Sequence, residues 1–520
     1  MVTTTIKTVM HCNASRFGVA ISILTACNFF TFTTDALAAD WLVTPTLRLG
    51  ESYTDNVRLA PAGKEESDFI SSVSPGLSVT GNGQGLKFKA NYDYQYLYYA
   101  NNSQGKGYHH LDATTKVTLA RDWLFFDGAA SIGQQPISAF GTQTTSNYNL
   151  ADNQTTVKTF TASPYLRHDF NGWATSELRY THQSLGTGSD TLSSSSSDSL
   201  GWNINSDPSF RQLAWGLNAR AQQNRMARTE SISSSTAGGN LRYMVTPQFY
   251  LTATAGYDKY DYISAPGASN PSGKYYTGGF SWSPTNRTNI SASAGKKFYG
   301  NTYSLSSSVR SRATLLRLSY DESIMTTQSQ FALNMLNSTS QYLNDLFRTA
   351  IPDDTQRQLA VDQFILSNGL PATLSQPVSY LTNQFFLQKS LTASVAITGA
   401  RNTLLFNAFN IKQNLQSNDA SGIQPGFTSV GNLNQLGFNA TWNLRITPLT
   451  TTTVSAYFSK SKENSSNNES QLRVFRAAVT SRIQPKVDGI VELRHTEQSS
   501  VGIGSAYTEN AVSAFVSMKF

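Results

Sequence analysis

Cysteine is nearly absent: the 520 residues hold two, Cys12 and Cys27. Both fall in an N-terminal stretch that reads as a secretory leader, so the mature protein is expected to have none. That excludes disulfides, thiolate metal sites and cysteine nucleophiles together. Histidine is scarce too, at six. His11 lies in the leader. His109 and His110 are adjacent and must point to opposite faces of a strand. His168, His182 and His495 stand alone near expected strand ends. Without clustered ligands, no metal or cofactor is expected. Charged residues make up only 14% of the chain, and the net charge of +7 is spread without a basic run, so no nucleic-acid partner is expected. No Gly-x-Ser-x-Gly elbow is present. Gly81-Asn82-Gly83-Gln84-Gly85 is a turn and not a phosphate loop, because no helix follows it. His182 and Ser184 share a face by spacing, and nothing else marks them; a non-enzymatic protein is expected. Beyond the leader, no run is apolar enough for a membrane helix.

What is present is alternation. In the last eleven residues, 510–520, Val512, Ala514, Val516, Met518 and Phe520 take every second position, with Ser513, Ser517 and Lys519 between them. Period 2 is a β-strand with one apolar and one polar face. A soluble edge strand ending this way is an aggregation hazard, whereas a transmembrane barrel strand uses one face for lipid and the other for its lumen. Met518 and Phe520 also resemble the C-terminal signal read by the outer-membrane assembly machinery, an expected partner besides the lipid itself. Aromatic residues are plentiful (24 Tyr, 28 Phe, 7 Trp), as interfacial girdles require.

The leader is expected to span 1–38. Lys7 and Arg16 supply charge, 17–26 the apolar core, and Ala36-Leu37-Ala38 the small-x-small cleavage site. Leu24-Thr25-Ala26-Cys27 also resembles a lipobox, which would instead make Cys27 a lipidated N-terminus. From residue 39 to 520 the chain reads as hairpins whose connections alternate in kind. Short ones include Phe170-Asn171-Gly172, Thr246-Pro247, Arg310-Ser311-Arg312 and Gln484-Pro485. Long polar ones include 101–108, 134–156, 186–198, 264–273, 417–432 and 461–470. Short periplasmic turns and longer outer loops are the habit of outer-membrane barrels. Counting gives about 22 strands, so the expected fold is all-β: a transmembrane antiparallel barrel in the bacterial outer membrane.

The pattern also assigns faces. Leu86, Phe88, Ala90, Tyr92, Tyr94, Tyr96 and Tyr98 alternate with Lys87, Lys89, Asn91, Asp93 and Gln95. A charge at mid-bilayer costs about 2–4 kcal/mol, so the polar set goes to the lumen. The same reasoning selects Lys87, Lys89, Arg179, Arg220, Arg317, Arg476 and Arg494, against Asp93, Glu177, Asp488 and Glu492, as lumen-lining candidates. Their small positive excess would favour anionic solutes, or simply form a neutralising ladder along the wall. Lys389 breaks the pattern, falling on the apolar face of Phe385, Leu387 and Leu391; snorkelling or a bulge would each account for it.

One stretch, 326–382, is not β. Leu343, Leu346, Phe347 and Ile351 recur at helical spacing before Pro352. A second helix, with Asp353 as N-cap, carries Leu359, Val361, Phe364 and Ile365 before Gly369 and Pro371. This helical insert leaves from the outer side and must bury its apolar stripes, either on the outer rim or inside the lumen as a lid or plug.

Certain motifs resemble a known family. They are Glu51-Ser52-Tyr53-Thr54-Asp55-Asn56-Val57-Arg58-Leu59-Ala60-Pro61, Ser67-Asp68-Phe69-Ile70, Ser74-Pro75-Gly76, Arg310-Ser311-Arg312, Ile351-Pro352-Asp353 with Gln356-Arg357, Asn368-Gly369-Leu370-Pro371 and 381–389. Together they resemble the outer-membrane β-barrel proteins of PEP-CTERM/exosortase systems, which sit among exopolysaccharide genes of Gram-negative bacteria. The resemblance implies a porin-like pore or scaffold in exopolysaccharide export, with polysaccharide as a further partner, and supplies no catalytic motif. The alternatives are a gated importer of the TonB-dependent kind, an outer-leaflet enzyme marked by a Ser/His/Asp set at the rim, and a closed structural or adhesion barrel. The importer reading is weakened because the first strand is expected directly after the cleavage site, without a preceding plug.

Overall fold

A computed structural model describes residues 39–121, 123–188, 194–226, 231–262, 271–326, 385–417, 432–464, 466–502 and 504–520. It also describes Ser329, Ser340, Leu343, Asn344, Phe347, Arg357, Ala360 and Val361 of the insert. The leader with its lipobox, Pro352, the cap at Asp353 and most of the insert's apolar stripes lie outside the described residues.

Strands form where the period-2 pattern runs. They are β1 (Asp40–Thr54), β2 (Asp68–Asn82), β3 (Leu86–Tyr99), β4 (Gln104–Ala120), β5 (Leu124–Pro136), β6 (Gln154–Asp169), β7 (Ala174–Thr187), β8 (Ser195–Ser206), β9 (Leu213–Met226), β10 (Ile232–Thr246) and β11 (Phe249–Tyr260). Then follow β12 (Ser272–Thr285), β13 (Thr288–Lys297), β14 (Gly300–Arg310), β15 (Thr314–Met325), β16 (Phe386–Thr398), β17 (Asn402–Leu415), β18 (Leu433–Arg445), β19 (Thr450–Glu463), β20 (Glu469–Gln484), β21 (Val487–Val501) and β22 (Tyr507–Lys519). Each pairs antiparallel with its sequence neighbour in one 22-stranded sheet, and β1 also pairs with β22. The wall is therefore closed. The seam runs from Thr46 opposite Lys519 to Thr54 opposite Ala511, and the Phe520 amide donates to the Pro45 carbonyl at 3.0 Å. Closure leaves no edge strand exposed, which a chain of this pattern needs in any solvent.

The two faces differ as alternation demands. On β22, Val512 and Val516 are 48% and 40% exposed and point outward, while Tyr507, Glu509, Ala511 and Ser513 are buried on the lumen side. The same parity puts Leu404, Phe406, Leu436, Phe438, Trp442, Phe475, Val491 and Leu493 outside. A closed barrel with a continuous outward apolar band is an outer-membrane protein. Connections at the end that holds both chain termini are short, the longest being 207–212. In the 170–173 turn, Asn171 and Gly172 both have positive φ, 48° and 79°, the conformation that a tight hairpin requires of its central pair.

One expectation is corrected, and one of two open alternatives is removed. Residues 101–108 are not a long loop, because β4 begins at Gln104. Gly105 and Gly107 look like loop residues, but the Tyr96 and Tyr94 side chains lie across their Cα atoms where a Cβ would stand, so the glycines are strand positions that accept a ring. The second concerns Lys389. The ladders on both sides of it run without a register shift, so there is no bulge. Lys389 instead faces Glu322 of β15, with Nζ 3.3 Å from the carboxylate.

Candidate functional site

The lumen is the site, and its geometry follows from what fills it. By strand parity all eleven lumen-lining candidates sit on the inward face: Lys87, Lys89 and Asp93 on β3, Glu177 and Arg179 on β7, Arg220 on β9, Arg317 on β15, Arg476 on β20, and Asp488, Glu492 and Arg494 on β21. Several are committed to one another. Arg179 bonds Glu177 at 2.8 Å and Asp127 at 2.9 Å, and lies over the Tyr165 ring at 3.7 Å. Arg476 meets Glu492 at 3.3 Å, and Asp488 meets Arg482 at 3.9 Å. These pairs make a neutralising ladder along the wall. Arg220 is different: it is exposed to the lumen and its guanidinium reaches the Ser199 hydroxyl at 3.4 Å. Asp93 lies opposite His110, which pairs with Asp112 at 2.9 Å, while His109 faces outward against Tyr92 and Tyr94. The two adjacent histidines thus occupy opposite faces, as their spacing requires.

Among the described residues, a densely bonded part of the lumen involves a segment that no sequence pattern marks. The connection 137–153, between β5 and β6, folds back inside the barrel against β18, β20–β22 and β1–β4. Glu509 is its anchor. That carboxylate accepts from Asn149 Nδ2 at 2.7 Å, Thr54 Oγ1 at 2.8 Å and Arg494 Nη2 at 2.9 Å. The Arg494 and Glu509 side chains are only 4% and 1% exposed, so the loop covers an ion pair. Further along, Gln498 accepts from the Gln143 amide at 2.8 Å and donates to the Gly141 carbonyl at 3.1 Å, and the Tyr507 hydroxyl donates to the Gln143 carbonyl. Asn147 donates to Gln95 at 3.0 Å. Tyr148 and Leu150 pack on Ile70, Leu97, Tyr99 and Tyr108, and Phe140 packs on Leu433. Burial pushes the Tyr148 hydroxyl above its ordinary pKa, so it stays a neutral donor, bonded to Ser72 at 3.4 Å.

A second obstruction lies deeper. Leu343 and Val361 of the insert are fully buried with Leu315, Ala396 and Leu405, and Phe347 packs beside them. Those three wall residues are cross-strand neighbours on the lumen face. They sit near the termini-bearing ends of β15, β16 and β17, although the insert departs from the opposite end. Its described residues have helical backbone, and Arg357 Nε bonds Asn344 Oδ1 at 2.8 Å. At least these residues of the insert are therefore inside the barrel.

On the outer surface, His182 Nδ1 lies 2.8 Å from Asp198, whose carboxylate also takes the Tyr180 hydroxyl at 2.5 Å and Arg225 at 2.6 Å. Among the described residues no hydrogen bond joins Ser184 to this cluster. No group of three or more metal-ligating side chains occurs among the described residues.

No family model matches the chain, and no curated protein matches it. Solved structures similar to it include the siderophore receptor PirA from Pseudomonas aeruginosa, with 8% identity over 92% of this chain and 80% of that one, at a TM-score of 0.45. They also include the FrpB iron transporter from Neisseria meningitidis (F3-3 variant), with 11% identity over 94% and 82%, at 0.47. Likeness at this level says nothing of what this chain binds.

Proposed function

We propose that the protein is a gated, non-enzymatic passage through the outer membrane that serves exopolysaccharide export in a PEP-CTERM/exosortase setting. The observation that carries the gated reading is the filling of one flank of the lumen at two depths. Segment 137–153 sits on β20–β3 nearer the outer end, and Leu343, Phe347 and Val361 sit on β15–β17 near the opposite end. A barrel of this strand number is wide enough to enclose a plugged channel. The other flank keeps water-facing polar residues, Arg220 among them, which suits an acidic chain. The polysaccharide part rests on the motif resemblance around Tyr53–Val57 and in the insert.

Two measurements test the reading. In planar bilayers the intact protein should pass little current, and removal of 327–384 should open a large, steady conductance. In the parent bacterium, deletion of the gene should lower secreted polysaccharide. Unchanged secretion removes the export role, and an intact protein that is already wide open removes the gate.

A further inference from the structure

The outward face carries a second polar feature, distinct from the lumen. On β17, β18 and β19 the apolar band reaches a row of stacked rings: Phe406–Phe438 at 6.4 Å between centroids and Phe438–Phe458 at 5.5 Å. Further along these strands, toward the outer end, the outward positions change character. Read across six strands, they are Glu322, Lys389, Lys412, Asn434, Lys462 and Glu469, each directly opposite the next. Lys460 lies one outward position below Lys462. Four lysines therefore face two carboxylates.

The pairing leaves a definite remainder. Lys389 is held by Glu322 at 3.3 Å and Lys460 by Glu469 at 2.6 Å. Lys412 is exposed, and its direct cross-strand neighbours are Lys389 and Asn434. Like charges directly opposite on a sheet destabilise it. Lys462 is exposed and shares Glu469 with Lys460. Neighbouring strands are about 4.8 Å apart, so Lys412 and Lys462 stand roughly 10 Å apart at the base, within converging reach of two long side chains. An outward charge next to hydrocarbon is tolerated at the headgroup level, where its cost falls to about 0–1 kcal/mol. Two lysines in excess of the carboxylates match a divalent anion, and the stacked rings, four to six residues further down the same strands and so about 13–20 Å below, present an apolar surface for acyl chains.

We infer that Lys389, Lys412 and Lys462 bind the phosphate of a phosphorylated, multiply acylated glycolipid of the outer leaflet, with its acyl chains lying on Phe406, Phe438 and Phe458. The phosphate supplies the missing counter-charge to Lys412, and the acyl chains distinguish this ligand from a free anion.

The test uses the full-length protein in detergent micelles, with native mass spectrometry counting bound lipid. Lipid A is the probe, with its enzymatically dephosphorylated form and inorganic phosphate as comparisons. Wild-type protein should retain lipid A at least tenfold better than the dephosphorylated form, and inorganic phosphate should not compete at equal concentration. The double variant Lys412→Gln, Lys462→Gln should lose that tenfold preference while keeping the heat-modifiable gel mobility of a closed barrel. Equal retention of both lipids by the wild type overturns the phosphate contact, and this holds even where the variant fails to fold. Equal competition by inorganic phosphate overturns the lipid. An unchanged preference in a folded double variant overturns the assignment to these lysines.

Discussion

Replacing Glu509 with alanine should open the loop 137–153. The substitution leaves Arg494 as a buried cation with its partner gone, because both side chains lie beneath the loop. Breaking one half of a buried ion pair costs about 3–5 kcal/mol. That cost disappears if water reaches the guanidinium, and the route for water is displacement of the loop. The opposing term is what still holds the loop. The contacts of Gln143 with Gln498, of Tyr507 with Gln143 and of Asn147 with Gln95 remain, each worth about 0.5–1.5 kcal/mol net. The packing of Tyr148, Leu150 and Phe140 also remains, so the loop keeps a seat while the lost ~3–5 kcal/mol moves its equilibrium by roughly 10²- to 10⁴-fold toward open. Amide exchange over 137–153 should speed up by that factor, and bilayer recordings should gain frequent openings. Replacing both partners with apolar residues, Arg494→Met with Glu509→Leu, removes the orphaned charge and should close the loop again, as apolar substitution of whole buried pairs is often neutral or better. Exchange over 137–153 that stays at the wild-type rate in Glu509→Ala refutes the claim that the covered ion pair latches this loop. An open double variant would instead assign the latch to the hydrogen bonds alone.

Other consequences are simpler. Leu343→Asp combined with Val361→Asp puts two carboxylates against Leu315, Ala396 and Leu405 and should detach the insert, read as a rise in single-channel conductance. Arg220→Glu should shift reversal potentials toward cation selectivity with little loss of thermal stability. Arg179→Glu faces Asp127 and Glu177 and should lower stability as well, and equal behaviour of the two variants counts against the distinction between free and laddered charge. Lys389→Met removes the ammonium from Glu322, whose side chain is 1% exposed, and leaves the Tyr320 hydroxyl donating to it; the barrel should unfold at lower denaturant, and adding Glu322→Gln should recover most of the loss.

The barrel was legible in the sequence because strand period, lipid exposure and charge cost all act on the same alternate residues. Val512 and Val516 point outward for the reason their spacing gives, and Arg220 points inward for the same reason. Glycine-rich strands were less legible. Composition cannot separate Gly105 and Gly107 from a loop when the reason for them is a ring on the neighbouring strand. Lys389 could not be understood along its own strand, since its explanation is a residue 67 positions earlier, on the strand beside it. The insert's helical spacing was readable at Leu343 and Phe347, but its depth was not, because amphipathic spacing says that a stripe must be covered and not by what. Segment 137–153 reads as a plain polar loop for a related reason. Gln143 and Asn149 find partners more than 350 residues away, and no local pattern announces such a seat.

That seat has a temporal consequence. Its two halves come from the opposite extremities of the polypeptide: Thr54, Ser72 and Gln95 from the first three strands, Arg494, Gln498 and Glu509 from the last two. They become neighbours only when β1 zips to β22. Until that moment segment 137–153 has only the half of its seat that β2–β4 supply, so an incompletely closed molecule should be a leaky one, and full sealing is the event that reports a finished wall.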